Sequence, residues 1–415
     1  MTQPTHTEPP ESGRPQREAP AERRGRHAGP AAPAHPGYPA SPDNAGSPGN
    51  PPAGPAGPVG PAGPFGAGAP AGAVPPPPQH APRSGLEARL AGEHALELVD
   101  HDLREGFDAV RREVGRIVVG QTAALDGLLI ALLCSGHVLL EGVPGVAKTL
   151  LVRTLSAALD LAHSRIQFTP DLMPADVTGS LVFDAAAGGF EFRAGPVFTH
   201  LLIADEINRT PPKTQSALLE AMEERRVSVD GEARALPDPF LVAATQNPLE
   251  YEGTYPLPEA QLDRFLFKLV MDPPDRAGEL EILRRHAAGF DARELEAAGL
   301  TRLLDAQAVR AARARAGRIH AAPEVLGYLV DLVQATRAAP SLALGVSPRG
   351  ATRLLGAARA RAWLAGRAFI TPDDVKALAP ATFRHRVILR PEAQMDGIGA
   401  DQVIAAVIDS TPVPR

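Results

Sequence analysis

Apolar and polar positions follow two rhythms along this chain, and the change between them divides it. Between about residue 86 and Pro273, short and nearly continuous apolar runs alternate with segments of helical spacing; beyond Pro274 only the helical spacing persists. Leu96, Leu98, Leu103, Phe107, Val110 and Val114 recur among mixed charges at helical intervals, so a helix is expected over 86–119. A second helix is expected to run through about Ser135. It leads into His137-Val138-Leu139-Leu140-Glu141, read as a buried strand. Further strands are expected over 165–168, 201–206 and 240–245, with helices over 150–161 and 213–224. Two hairpins are expected as well. One pairs 181–183 with 190–192 around Gly188-Gly189; the other pairs 226–229 with 232–236 around Asp230-Gly231. Strands alternating with helices predict an α/β fold with a parallel sheet. Helices are then expected at 275–288, 306–318, 322–337, 348–366, 372–379 and 400–409 with no clear strand between them, hence an all-helical second domain.

Composition sets the first 85 residues apart. Pro, Gly and Ala dominate there, and Leu, Ile, Trp and Cys are absent, so little apolar surface is available to offset the entropy of ordering. A disordered tail is expected. Glycine recurs at every third position from Gly54 to Gly66, about four triplets, too few for a stable triple helix. Pro75 to Pro78 can form a polyproline II ligand, or serve only as a solvated linker. The net charge of −6 gives no basic field to attract nucleic acid. A lone cysteine, Cys134, cannot form an intrachain disulfide, and no apolar leader follows Met1. A reducing, cytoplasmic setting is expected, and no membrane span, because Asp126 and His137 interrupt the longest apolar stretch.

The candidate chemistry begins after the strand at 137–141. Gly142-Val143-Pro144-Gly145-Val146-Ala147-Lys148-Thr149 is a glycine-bearing loop ending in Lys-Thr at a helix start, where N–H groups and an ammonium can hold a polyphosphate. Lys148 is one of only four lysines in a chain that otherwise uses arginine for its cations. Its flexible point charge suits β- and γ-phosphates, and the hydroxyl of Thr149 suits Mg²⁺. Ala147 replaces the usual glycine before the lysine, which fits if that position has helical φ and ψ. About sixty residues on, the strand 201–206 ends in Asp205-Glu206, either a solvated strand end or the second half of an NTPase site. In the latter, Asp205 holds the metal's water shell and Glu206 polarises the attacking water. Asn247, ending the next strand, can orient that water or simply turn the chain before Pro248. Arg264, in Leu262-Asp263-Arg264-Phe265, either acts on a neighbouring subunit's γ-phosphate or pairs with Asp263. Arg349, in Ser347-Pro348-Arg349-Gly350, either closes on the phosphates from the second domain or caps its helix. The cluster Arg384-His385-Arg386 is expected to be a solvated basic face. The twelve histidines show no metal-ligand spacing, and no G-x-S-x-G motif occurs.

The order of these motifs over about 100–410 resembles the MoxR family of AAA+ ATPases. The resemblance rests on Arg165-Ile166-Gln167-Phe168-Thr169-Pro170-Asp171-Leu172-Met173-Pro174-Ala175-Asp176-Val177-Thr178-Gly179 and on Asp205-Glu206-Ile207-Asn208-Arg209 with Pro211-Pro212-Lys213-Thr214-Gln215. It rests also on Ala244-Thr245-Gln246-Asn247-Pro248, on Thr371-Pro372-Asp373-Asp374-Val375 and on Arg384-His385-Arg386. It implies a P-loop AAA+ domain at 86–272 and a helical lid domain at 273–415, and it leaves the tail at 1–85 outside the match. By position, residues 142–149 resemble Walker A, Asp205-Glu206 Walker B, Asn247 sensor 1, Arg264 the arginine finger and Arg349 sensor 2. The family shares the departure at Ala147. Arg209 also lies near the expected subunit edge, so it competes with Arg264 for the finger's role. The hairpins at 181–192 and 226–236 resemble the helix-2 insert and the pre-sensor hairpin.

The implied activity is ATP hydrolysis with Mg²⁺ by a homo-oligomeric, usually hexameric ring. It would act as a chaperone-like remodelling or maturation factor on a protein client, often with a von Willebrand factor A-domain partner. Nearby alternatives are the motor subunit of a metal-chelatase-like or nucleic-acid-remodelling machine. The mixed charge of Arg226, Asp230, Glu232 and Arg234 disfavours the nucleic-acid version.

Overall fold

The buried apolar runs at 138–141, 201–205 and 241–246 become strands whose side chains alternate between two covered faces, whereas the run at 128–133 is part of a helix. The computed structural model describes residues 85–414 apart from 187, 249–252, 293 and 296–298; the expected disordered tail lies, Gly85 aside, outside the described residues. The described chain starts with α1 (Gly85–Gly115) and α2 (Thr122–Leu133), followed by β1 (Val138–Glu141), α3 (Lys148–Ala158) and β2 (His163–Gln167). A short α4 (Pro174–Thr178) precedes the hairpin of β3 (Gly179–Asp184) and β4 (Gly189–Ala194). Then come β5 (Leu201–Asp205), α5 (Pro212–Glu224), the hairpin of β6 (Arg226–Val229) and β7 (Glu232–Ala235), and β8 (Leu241–Gln246). The half closes with α6 (Glu259–Leu262) and β9 (Phe267–Val270).

Five of these strands form one sheet in the order β2-β5-β8-β1-β9, and every pairing is parallel. Because successive residues point to opposite faces, Leu201 and Ile203 join the apolar cluster under α1, α2 and α3. Leu202 and Ala204 join the other cluster, which includes Leu218, Leu219 and Met222 of α5. Covered on both sides, the inner strands β1, β5 and β8 need no polar face, which is why they read as nearly unbroken apolar runs, whereas the edge strand β2 keeps polar, exposed positions. A parallel sheet also sends all its strand ends the same way, so the loops after β1, β2, β5 and β8 gather along one edge.

The second half contains α7 (Arg276–Ala287), α8 (Ala306–Ala316), α9 (Pro323–Ala338), α10 (Pro348–Leu364), α11 (Pro372–Phe383), α12 (Pro391–Met395) and α13 (Ala400–Ser410). It also has strands, contrary to expectation. β10 (Leu342–Leu344) and β11 (Ile388–Leu389) pair antiparallel, and His320 bridges Phe369. Ladders of two or three residues are too short to leave an alternating signature. The helix expected to stop before Pro380 instead runs to Phe383, with Pro380 inside it. Burial of Leu378, Ala379, Thr382 and Phe383 on the core outweighs the lost N–H there. The helical half shares its apolar cluster with α1 and α2; the Trp363 ring of α10 meets Phe107 of α1 edge-on, 5.8 Å between centroids. Among the described residues no helix is long and apolar enough to cross a membrane.

Candidate functional site

The loop 142–149 leaves the middle of the sheet because β1 lies between β8 and β9. Glycine is required at its start, since a Cβ on Gly142 would meet the carbonyl oxygen of Met271 at 2.5 Å. Gly145 has φ +90°, a conformation open to glycine. The condition under which alanine fits there, helical φ and ψ, is not met at Ala147. It is left-handed, at φ 66° and ψ 25°, and immediately precedes α3. No side chain caps α3 and no acidic residue stands in its first turn, so its first N–H groups and dipole face the loop's concavity. Lys148 folds back over the loop, its Nζ donating to the carbonyls of Gly142 and Val143, the latter at 3.0 Å.

The ends of β2, β5 and β8 supply the opposite wall. Thr149 Oγ1 donates to Asp205 Oδ2 at 3.2 Å, bringing a hydroxyl and a carboxylate together at the loop's mouth. These are oxygen donors only, the set a hard cation such as Mg²⁺ prefers. Arg165 Nε pairs with the same Oδ2 at 2.7 Å. Glu206 is left-handed at φ 58° and ψ 49°, a strained conformation that turns its side chain off the strand direction. Gln167 Nε2 donates to Glu206 Oε2 at 2.6 Å, and Arg209 Nε lies 3.2 Å from that oxygen. Thr245 ties the two acids together: its Oγ1 accepts from the Glu206 N–H at 3.0 Å and donates to Asp205 Oδ1 at 3.1 Å. Asn247, buried at the end of β8, borders the same space.

These groups line a cavity of about 440 Å³ whose polar end holds Lys148, Thr149, Asp205, Glu206 and Asn247. Its other side is formed by Ile117, Val118 and Val119 after α1 and by Ile282, Arg285, His286 and Phe290 of α7 and the following loop, a largely apolar wall that also carries one guanidinium and one imidazole. Sequence reasoning missed this apolar wall, along with Arg165, Gln167 and Thr245. The wall has no local signature, since its halves lie more than 150 residues apart. Thr245 did leave one, as a polar residue 2% exposed within the apolar run of β8.

Arg264 and Arg349 are not among the residues bordering this cavity. Both lie beside Glu223 at the end of α5, and Arg349 Nε is also 3.6 Å from Asp263 Oδ2. Arg384-His385-Arg386 is not the solvated face expected of it. His385 and Arg386 are buried, because Asp263 and the carbonyls around it supply partners that sequence spacing hides. At the hairpins, Phe183 and Phe190 are exposed and meet edge-on at 5.5 Å. Arg234 stacks over Phe192 at 4.1 Å, joining one hairpin to the other.

Comparison with known proteins gives the same arrangement a lineage. The model of the ATPase family associated with various cellular activities (AAA) matches residues 137–267, and that of the AAA lid domain matches 334–407. The chain is 42% identical to Chaperone MoxR1 of Mycobacterium tuberculosis over 366 residues, covering 85% of this chain and 92% of that protein. It is 48% identical to the protein YeaC of Bacillus subtilis over 313 residues, covering 75% and 96% respectively. A crystal structure of a protein from Cytophaga hutchinsonii superposes with a TM-score of 0.71 at 38% identity, covering 80% of this chain and all of that one.

Proposed function

The chain belongs to the MoxR family of AAA+ ATPases, and from that premise we propose that it hydrolyses ATP at interfaces of a homo-oligomeric ring and uses the turnover to remodel or mature a protein partner. The observation that carries this reading is the convergence of Lys148, Thr149, Asp205, Glu206 and Asn247 on a cavity that also presents the apolar side chains of Ile117, Val118, Ile282 and Phe290, with Arg285 and His286 beside them. A nucleotide has the matching polarity, with charged phosphates at one end and a flat base at the other.

The loop and the first turn of α3 would hold the triphosphate, with Lys148 as the cation for its β- and γ-phosphates. Magnesium, held by Thr149 and Asp205 directly or through water, would neutralise charge on those phosphates. Glu206 takes a proton from the water that adds to the γ-phosphorus as the bond to ADP breaks. Gln167 and Arg209 fix the direction of that carboxylate. Asn247 orients the water. Arg209 holds a carboxylate of its own chain's cavity, whereas Arg264 pairs with Glu223, which does not border that cavity; Arg264 is therefore the arginine offered to a neighbour's γ-phosphate, and Arg349 stands beside it.

The hairpin of β3 and β4 offers its exposed Phe183 and Phe190 to a protein client rather than to a polyanion. In the second hairpin Arg226 pairs with Glu224, and Arg234 pairs with Glu232, which leaves that ribbon without the net positive charge a nucleic-acid motor needs. A von Willebrand factor A-domain protein is the class of partner the resemblance implies, and a hexamer the ring size.

Steady-state ATPase rate measured against protein concentration, with Glu206→Gln as control, tests the proposal. A specific rate that rises with concentration and vanishes in the variant is expected. Turnover unaffected by Glu206→Gln would overturn the site assignment.

A further inference from the structure

Arg386 is a buried charge that the nucleotide cavity does not use. Its side chain is 2% exposed. Nε donates to Asp263 Oδ1 at 2.6 Å, and Nη2 donates to the carbonyls of Asp263 at 3.1 Å and Phe265 at 2.6 Å. Nη1 donates to the carbonyl of Leu266 at 3.2 Å and to that of Thr382. Apart from Thr382, every one of these acceptors belongs to residues 263–266, and Arg264 stands among them. Neighbouring His385 places Nε2 3.1 Å from the Phe265 carbonyl, adding to the grip. Asp263 in turn approaches Arg349 at 3.6 Å. A residue just beyond α11 thus holds the backbone on both sides of Arg264, and through one carboxylate reaches Arg349 as well.

We propose that Arg386 is a positioning residue for ATP hydrolysis, fixing the segment 263–266 so that Arg264 projects at the correct height and angle towards a neighbouring subunit's γ-phosphate. This rests on the reading of Arg264 as acting on a neighbour. The guanidinium is suited to the task because its five N–H groups form a rigid planar fork that spans several carbonyls at once. A lysine keeps the charge but has three rotating donors at one point, so Arg386→Lys loosens the segment without leaving the site empty. Reaction geometry is steep in distance: a misplacement of ~1 Å costs about a hundredfold in rate.

Three readouts on the full-length chain separate positioning from plain stabilisation. Arg386→Lys is expected to lower kcat by about ten- to a hundredfold while nucleotide affinity stays within about twofold. In an Arg264→Ala background the same change is expected to lower kcat by less than about twofold, because it acts through the side chain already removed. Mixed with Glu206→Gln subunits, Arg386→Lys subunits are expected to regain turnover, since some interfaces then combine an intact site with an intact finger. A loss of kcat that multiplies with Arg264→Ala, or one that follows nucleotide affinity or the folded fraction, would overturn the proposal. Mixing Arg264→Ala with Glu206→Gln tests the underlying reading alone. Recovery there without recovery for Arg386→Lys removes only the role of Arg386; no recovery in either removes the trans reading and the positioning role with it. If Arg386→Lys does not fold, Asp263→Asn preserves side-chain volume and an oxygen acceptor, and the same three outcomes decide.

Discussion

Arg264 and Arg349 grip opposite oxygens of one carboxylate: Arg264 Nη2 is 3.1 Å from Glu223 Oε2, and Arg349 Nη2 donates to Oε1 at 3.3 Å. Two guanidiniums converging on a two-oxygen anion form a ready-made receptor for a phosphate, and it lies away from the cavity of its own chain. Arg264→Ala and Arg349→Ala are therefore expected to leave nucleotide affinity within about twofold of the parent while kcat falls. Fingers of this type are worth ~10³ or more in rate, which sets the scale for Arg264. Titration with a fluorescent ATP analogue beside steady-state turnover checks this. A loss of affinity matching the loss of rate would place these side chains at their own subunit's nucleotide instead.

Lys148 and Glu206 are expected to fail in opposite ways. Lys148 lies along the loop 142–149, where the proposed mechanism has it act on bound and reacting nucleotide alike, so Lys148→Ala is expected to weaken nucleotide binding by about tenfold or more, about 1.4 kcal/mol. Glu206 borders the polar end without belonging to the loop, and in the proposed mechanism its work is confined to the reacting water. Glu206→Gln keeps binding and lowers kcat by ~10²–10⁴. Equilibrium binding and turnover on both variants separate the roles, and equal affinity in Lys148→Ala and the parent would remove the phosphate site from this loop.

Ala147 bears a conformational cost that glycine would not. A left-handed alanine is disfavoured by roughly 1–2 kcal/mol, partly offset because glycine gains ~0.4–1 kcal/mol more freedom in the unfolded chain. Ala147→Gly is thus expected to raise the urea midpoint by an amount equivalent to at most about 1.6 kcal/mol, with m unchanged. A lowered midpoint would mean that the methyl group makes contacts worth more than the strain.

The meeting of the loop 142–149 with Asp205 and Glu206 was legible because each part is local. A glycine loop after an apolar run, and an apolar run ending in two acids, need only the neighbouring residues to declare themselves. What stayed hidden depends on distance in the sequence. Arg386 reads as solvated until Asp263, 123 positions earlier, is brought against it. Ile117, Val118 and Phe290 become a wall only once α7 folds beside the segment after α1. The conformation of Ala147 was missed for another reason: the motif constrains which residues stand there, whereas φ is imposed by the turn into α3.

His137 makes acid stability a further measurable consequence of the fold. It is buried at the start of β1, where Nδ1 accepts from the Val242 N–H at 3.0 Å and Nε2 lies 3.1 Å from the Met222 carbonyl. That pairing suits the neutral ring with its proton on Nε2. Burial pushes the pKa from 6.5 down to about 4; the bond to Met222 opposes the shift, and the charges of Arg225 and Arg353 add to it. Between those two values the unfolded chain binds a proton that the folded chain does not, so stability rises with pH across this window. It is fully present above about 6.5 and is lost as pH falls towards 4, by up to ~3 kcal/mol from this one group. His385 is also held well below its ordinary value, by burial first and by Arg386 second, and contributes with the same sign. Urea unfolding between about pH 7 and pH 5 is expected to show a falling midpoint. His137→Gln, neutral throughout, should be less stable at pH 7 but lose stability more slowly on acidification. Parallel pH dependences in the two proteins would mean that His137 is not the group being titrated, leaving His385 as the next to replace.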